Sequence, residues 1–258
     1  MPEELGRAKK NGTTIQEGRT SAVPIFRIQN CLSCRILERL NRFVVTVEVK
    51  GRCERAHINN TGRLQEFLIR GREAFCFKTP ENRKTDFRLF AVKEKNMAAL
   101  IDTQLQMKAF EKAFELGMIP WLKKFHLLRR NAKLGTSRID YLFDCGRNHL
   151  YLEVKSVVLR EEEFAMYPDC PSLRGQRHIE ELIDWERRGG SSMVVFVAAL
   201  PGVNAFKPNR SADSRVYELL VRAEGEGIDV KALGFFYNPR DSQIWLFSPN
   251  LKVVLNTL

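Results

Sequence analysis

Residues 23–92 carry short β-rich runs that follow one another. Examples are Phe43-Val44-Val45-Thr46-Val47-Glu48-Val49, Glu73-Ala74-Phe75-Cys76-Phe77 and Phe87-Arg88-Leu89-Phe90-Ala91-Val92. Runs rich in Val, Phe and Thr are the mark of strands, and Gly51, Asn59-Asn60-Thr61-Gly62 and Gly71 supply turns between them. Short strands closely spaced predict a compact β-barrel or sandwich. The pattern changes near residue 96. Over 103–116, Leu105, Ala109, Phe110, Ala113 and Phe114 form one helical stripe, Gly117 is a stop, and Thr103 with Gln106 has the spacing of a capping box. Strands are predicted at 126–133, 137–143, 149–158, 192–200 and 230–237, with helices at 174–188 and 214–224. Mixed helices and strands predict an α/β domain after the all-β one. The expected division is a polar tail at 1–22, a barrel at 23–95 and an α/β domain at 96–258.

Charge adds a partner to this outline. The 258-residue chain has a formal net charge of +11. Residues 1–100 hold 20 Lys and Arg against 11 Asp and Glu, a net of +9, which leaves +2 for residues 101–258. A concentrated positive field favours a polyanion, since each neutralised phosphate releases counterions. Acidic lipid heads, or simple solvation, are the alternatives. No run approaches the roughly 18 apolar residues of a membrane span, and the first 25 residues lack a signal-type stretch. The expected location is the cytoplasm, with no membrane partner and with the cysteines as reduced thiols. Cys31 and Cys34 lack a second ligand pair at zinc spacing. No feature sets an oligomeric state, and a homodimer is one option.

The chemistry is concentrated at Asp140, Glu153 and Lys155. Asp140 lies in one predicted strand, and Glu153 and Lys155 share a face of the next, because i and i+2 point the same way. If the strands pair as a hairpin, Asp140 sits beside Glu153. Two carboxylates are a hard-oxygen set suited to Mg²⁺ or Mn²⁺, and a neighbouring lysine can orient or help deprotonate an attacking water. Other acidic-x-Lys triplets, Glu48-Val49-Lys50 and Asp229-Val230-Lys231, lack this hairpin context. Glu111, on the preceding helix, is a further candidate for a second metal or a water. The plain alternative is a solvated strand face with a cross-strand ion pair.

Several segments together resemble the sugar fermentation stimulation protein A (SfsA) family. They are Asn41-Arg42-Phe43, Asn60-Thr61-Gly62-Arg63-Leu64, Asp102-Thr103-Gln104-Leu105, Ser137-Arg138-Ile139-Asp140, Tyr151-Leu152-Glu153-Val154-Lys155-Ser156-Val157, Tyr167-Pro168-Asp169 and Arg174-Gly175-Gln176-Arg177-His178. The resemblance implies a small OB-like β-barrel followed by a PD-(D/E)xK nuclease-like α/β domain, with a central mixed sheet flanked by helices. It also implies DNA binding and a link to the regulation of sugar metabolism. Asp102 stands where the family usually has Asn, His57-Ile58-Asn59 replaces a Cys before Pro, and Ile139 takes the place of the Pro in the nuclease signature.

Nucleic-acid contacts are expected from Arg42, Arg63, Arg83, Lys84 and Arg88 in the barrel, where cations are interleaved with Phe43 and Phe87. Arg174 and His178 are expected on one helical face near the metal site, where Arg can hold a phosphate bidentately. An ordinary polar helix face is the competing explanation. Three functions stay open. They are an Mg²⁺-dependent phosphodiesterase, a DNA-binding regulator that keeps the fold without turnover, and, more weakly, an RNA-binding protein.

Overall fold

The computed structural model describes residues 22–80, 84–144, 146 and 148–255. The β-rich runs become strands whose inward positions build a barrel. After a first strand, β1 (Val23–Arg27), come β2 (Cys31–Arg39), β3 (Val44–Val49), β4 (Arg52–His57), β5 (Glu73–Lys78) and β6 (Phe87–Glu94). Along β3, Val45, Val47 and Val49 are buried while Thr46 and Glu48 face outward. Lys50 and Gly51 both have positive φ, the backbone of a tight two-residue hairpin between β3 and β4. β2 pairs β3, β3 pairs β4, β4 runs parallel to β6, β6 pairs β5, and β5 returns to β2. Five strands closed in this order form an OB-type barrel without exposed sheet edges.

β7 (Met97–Leu100) continues from β6, and Ala98 pairs with Tyr237, which joins the barrel to a second sheet. That sheet contains β8 (His126–Leu134), β9 (Ser137–Asp144), β10 (His149–Val157), β13 (Ser191–Ala198), β15 (Asp229–Asn238) and β16 (Gln243–Val253). β10, β13 and β15 run parallel and the outer neighbours antiparallel, so the sheet is mixed. β13 is buried along almost its whole length, as a parallel strand covered on both faces must be. β11 (Leu159–Glu161), β12 (Phe164–Tyr167) and β14 (Ala205–Pro208) form a smaller sheet against the end of β16.

Helix α1 (Thr103–Glu115) lies on one face of the larger sheet, where Phe110 meets Tyr141 at 5.5 Å and Phe114 meets Phe143 at 5.2 Å. Helices α2 (Leu173–Arg187) and α3 (Ser214–Gly225) pack together on the other, where Trp185 meets Tyr151 at 5.3 Å. Asp102, Ser172 and Asp213 cap the three helices through side-chain oxygens.

Three expectations change. β1, placed with the barrel by its sequence, pairs with β16 at the edge of the larger sheet. The capping box at Thr103 and Gln106 does not form. Asp102 accepts the Leu105 N–H at 2.8 Å instead, and Gln106 reaches back to the Leu100 carbonyl. The strand at 243–253 escapes the pattern because Pro249 and Asn250 interrupt its alternation. The predicted tail at 1–22 falls, up to residue 21, outside the described residues.

Candidate metal and nucleic-acid site

The site forms where β9 and β10 part company. Their ladder runs from His149↔Asp144 to Leu152↔Tyr141 and stops. Beyond that point β9 continues against β8 and β10 against β13. Backbone groups in the opening need other partners, and carboxylates supply them. Asp140 Oδ2 accepts the Val154 N–H at 2.8 Å, while Glu153 Oε2 stands 3.4 Å from the Asp140 nitrogen. The two acidic side chains are thus brought together by the geometry of the splayed strands.

Glu153 is almost fully buried, and its Oε1 accepts both the Lys155 ammonium at 2.7 Å and the His178 ring at Nδ1, 2.6 Å away. An ionised carboxylate only accepts, so Nδ1 carries the proton and Nε2 is left to face Arg174 Nε at 3.4 Å. Burial pushes the Asp140 carboxyl up, and the neighbouring Glu153 charge adds to this, to about 6. Burial also opposes ionisation of Glu153, but Lys155 and His178 outweigh it and hold that carboxyl below the usual range. For Lys155, burial disfavours the ammonium and Glu153 more than compensates, so the lysine is a firm cation.

A cleft of about 430 Å³ opens over these groups. Asn59–Gly62 and Arg42 of the barrel line one side, and the 166–172 loop with Arg174 the other. The two sides touch at one end, where Asp169 Oδ2 accepts the Arg63 N–H at 2.6 Å. Gly62 leaves room for this contact, since a Cβ there would lie 2.4 Å from that same oxygen and push the Asp169 side chain away.

Of the expected site residues, Asp140, Glu153, Lys155, His178, Arg174 and Arg42 meet in or beside this cleft. Glu111 does not. It rests on α1 across the sheet, bound to Arg130 at 2.8 Å and to the Tyr141 hydroxyl at 2.9 Å. Tyr141 and Asp140 are adjacent in a strand and so point to opposite faces. His178 is not on an exposed phosphate-facing surface; it is buried against Glu153. Arg63 is exposed and contributes its backbone to Asp169, while Lys84 and Arg88 line a different cavity, between the barrel and the start of α1. Arg88 is paired bidentately with Asp102, at 2.5 and 2.7 Å, so its charge is already balanced. Arg83 lies outside the described residues.

Two contributors escaped sequence reasoning. Tyr167 lines the cleft above Lys155, and its hydroxyl would lie 2.9 Å from a Cβ at Gly175. Asn59 joins Asp102 and the Thr103 N–H, each at 3.1 Å, tying the barrel turn to the cap of α1. Neither carries a spacing signal, since Asn59 acts across domains and Tyr167 acts on residues of other elements of its own domain.

The fold and site define a two-domain protein, an OB-type barrel fused to a mixed α/β domain in which two carboxylates and a lysine meet at the splayed strands. The chain matches the family models for the SfsA N-terminal OB domain over residues 37–101 and the sugar fermentation stimulation protein RE domain over residues 104–241. It belongs to the sugar fermentation stimulation protein family. A sugar fermentation stimulation protein homolog of Pyrococcus furiosus is 46% identical over 211 residues, 81% of this chain and 91% of that protein. The Archaeoglobus fulgidus homolog is 45% identical over 231 residues, 90% of this chain and 99% of its own. The solved structure of Pyrococcus furiosus SfsA in complex with Ca²⁺ matches with a TM-score of 0.86 at 43% identity, covering 90% of this chain and 99% of that one. No helix among the described residues is long and apolar enough to cross a membrane.

Proposed function

We propose that this protein binds nucleic acid, DNA in the first instance, and hydrolyses its phosphodiester bonds with a divalent cation held by Asp140 and Glu153. The observation that carries this reading is the pair of carboxylates at the β9–β10 splay, Glu153 buried and Asp140 half-buried, with the Asp140 carboxyl pushed up by burial first and by the Glu153 charge second. Like charges crowded in a dry site are what a hard divalent cation relieves, and oxygen donors suit Mg²⁺, Mn²⁺ or Ca²⁺. The Ca²⁺ complex of the Pyrococcus furiosus relative is consistent with such a site. The cation would supply Lewis-acid stabilisation of charge on the phosphate and lower the pKa of a bound water.

The chain's own groups have distinct tasks. Lys155, held cationic by Glu153, donates to an incoming water or phosphate oxygen and stabilises negative charge; it is not the base. His178 fixes the orientation of Glu153. Arg174 and Arg42, at the cleft rim, hold the phosphates that flank the scissile bond. The test is incubation of purified protein with DNA oligonucleotides and Mg²⁺ or Mn²⁺, beside an Asp140→Asn variant. Cleavage by wild type and at least a ~100-fold loss in the variant are expected, the scale of removing a main electrostatic group. Equal cleavage by both proteins sinks the assignment.

A second reading has its own support. Glu153 Oε1 is engaged by Lys155 and His178, and Asp140 Oδ2 by Val154, so the carboxylates have partners without a cation. On that reading the protein is a DNA-binding regulator without turnover. It predicts binding that survives Glu153→Ala and no cleavage under any metal.

A further inference from the structure

The cavity that holds Lys84 lies on the barrel surface beside the cleft, and its lining differs in character. It has a volume of about 630 Å³ and contains Phe43, His57, Phe77, Lys84 and Arg88. Register aligns most of them. Val44 pairs with His57, His57 with Arg88, and Arg88 with Phe77, so these positions line up across four strands, with Phe43 next to Val44 at one end and Phe77, half-buried against Phe90, at the other. Phe87 is buried in the barrel, whereas Phe43 keeps 47% of its surface exposed. Arg42 sits 6.0 Å from the Phe43 ring centre and Arg88 5.9 Å from that of Phe77. An exposed ring with a cation beside it suits a nucleotide, whose base offers a π face and whose phosphate offers a negative charge.

Access to the carboxylates is also restricted. Arg39 braces the two barrel loops at the rim by donating to the carbonyls of Asn41, Arg42, Gly62 and Arg63. The braced turn then meets Asp169, which closes one end of the cleft. Glu153 and Lys155 are 3% and 7% exposed at its floor. A fixed slot with a buried floor accepts a single chain more readily than a stacked double helix, whose phosphates lie on the outside of a wide cylinder. The slot and the row are adjacent. Arg42 lines the first and Phe43 the second, as do Thr103 and Gln104 on the facing helix.

We infer that the strand delivered to Asp140 and Glu153 is unpaired, and that the Phe43–Phe77 row holds its bases by stacking while Arg42 and Lys84 track its phosphates. This rests on the nucleic-acid reading above and narrows the substrate to single strands or the unpaired arm of a junction. The braced rim and buried floor favour a single chain, and the rings engage the π faces that a duplex conceals.

The experiment is fluorescence anisotropy in EDTA, so that no cleavage occurs. The probes are labelled oligodeoxythymidylate, oligouridylate and a blunt duplex of equal length. Wild type is expected to bind one or both single strands at least ~10-fold more tightly than the duplex. Phe43→Ala should weaken single-strand binding by roughly fivefold or more, the low end for one lost base–aromatic stack, and Phe43→Trp should restore it. Equal or tighter duplex binding, or unaltered binding by Phe43→Ala, overturns the inference. Cleavage adds an independent arm. A protein that binds single strands and never cuts leaves this inference standing and removes the nuclease reading. One that cuts the blunt duplex internally as fast as a single strand removes this inference alone.

Discussion

One oxygen of Glu153 receives both the Lys155 ammonium and the His178 ring, while Asp140 beside it is raised to about 6 by burial first and by Glu153 second. The asymmetry has a pH consequence. An aspartate titrates near 3.9 in an unfolded chain, so between roughly pH 4 and 6 the native state keeps a proton the unfolded chain has lost. This group's stabilising contribution is complete below ~4 and is lost as pH rises through about 6. A cation must displace the same proton, so its affinity should fall about tenfold per pH unit below 6 and level off above. Calorimetric titration of Mn²⁺ from pH 5 to 7.5 checks this; a flat profile contradicts it. Asp140→Asn removes the charge and leaves an oxygen for the Val154 N–H. Its Tm at pH 8 should therefore equal or exceed that of wild type, even as cation binding is lost, and a melt by circular dichroism decides.

Helix α1 begins at a residue with three duties. Asp102 accepts the Leu105 N–H, balances Arg88 and bonds Asn59 of the barrel turn. Asp102→Ala should cost about 1 kcal/mol for the cap, plus about 1–3 kcal/mol for the buried bonds left unmade, as read by urea denaturation. Asp102→Asn keeps the cap and loses the negative charge that balances Arg88, so it should fall between. The carboxylate–lysine hairpin was legible because strand alternation sets which side chains share a face. The position of Glu111 was not. Helical spacing places it beside Phe110, and packing alone decides which face of the sheet α1 covers. His178 failed for a related reason. The stripe of α2 marks Ile179 and Leu182 as core but cannot reveal that a buried carboxylate opposite makes room for a polar ring.

Across the whole molecule, the barrel and the α/β domain meet at the Ala98–Tyr237 pairing, the Asp102 network and the Asp169–Arg63 bond, and the cleft lies between them. With +9 of the +11 charge in residues 1–100, binding to a polyanion should weaken steeply with salt. Anisotropy between 50 and 200 mM salt should show a loss of roughly 10³-fold if about six phosphates are contacted. A slope near zero would place the charge elsewhere than on nucleic acid. Gly62→Val should separate the barrel turn from Asp169 and widen the slot, seen as a faster proteolytic cut at that turn.

By itself the sequence determined the two-part architecture, the three helices, about half of the strands, and the two successive strands that carry Asp140, Glu153 and Lys155. These depend on periodicities of two and 3.6 and on local turns, which are written in neighbouring residues. Tertiary structure decided the rest. It sent β1 to β16, turned Glu111 away, brought His178 onto Glu153, balanced Arg88 with Asp102 and left Phe43 uncovered while burying Phe87. Each of these pairs residues far apart in the chain, and only packing determines which distant side chain fills the space or satisfies the charge.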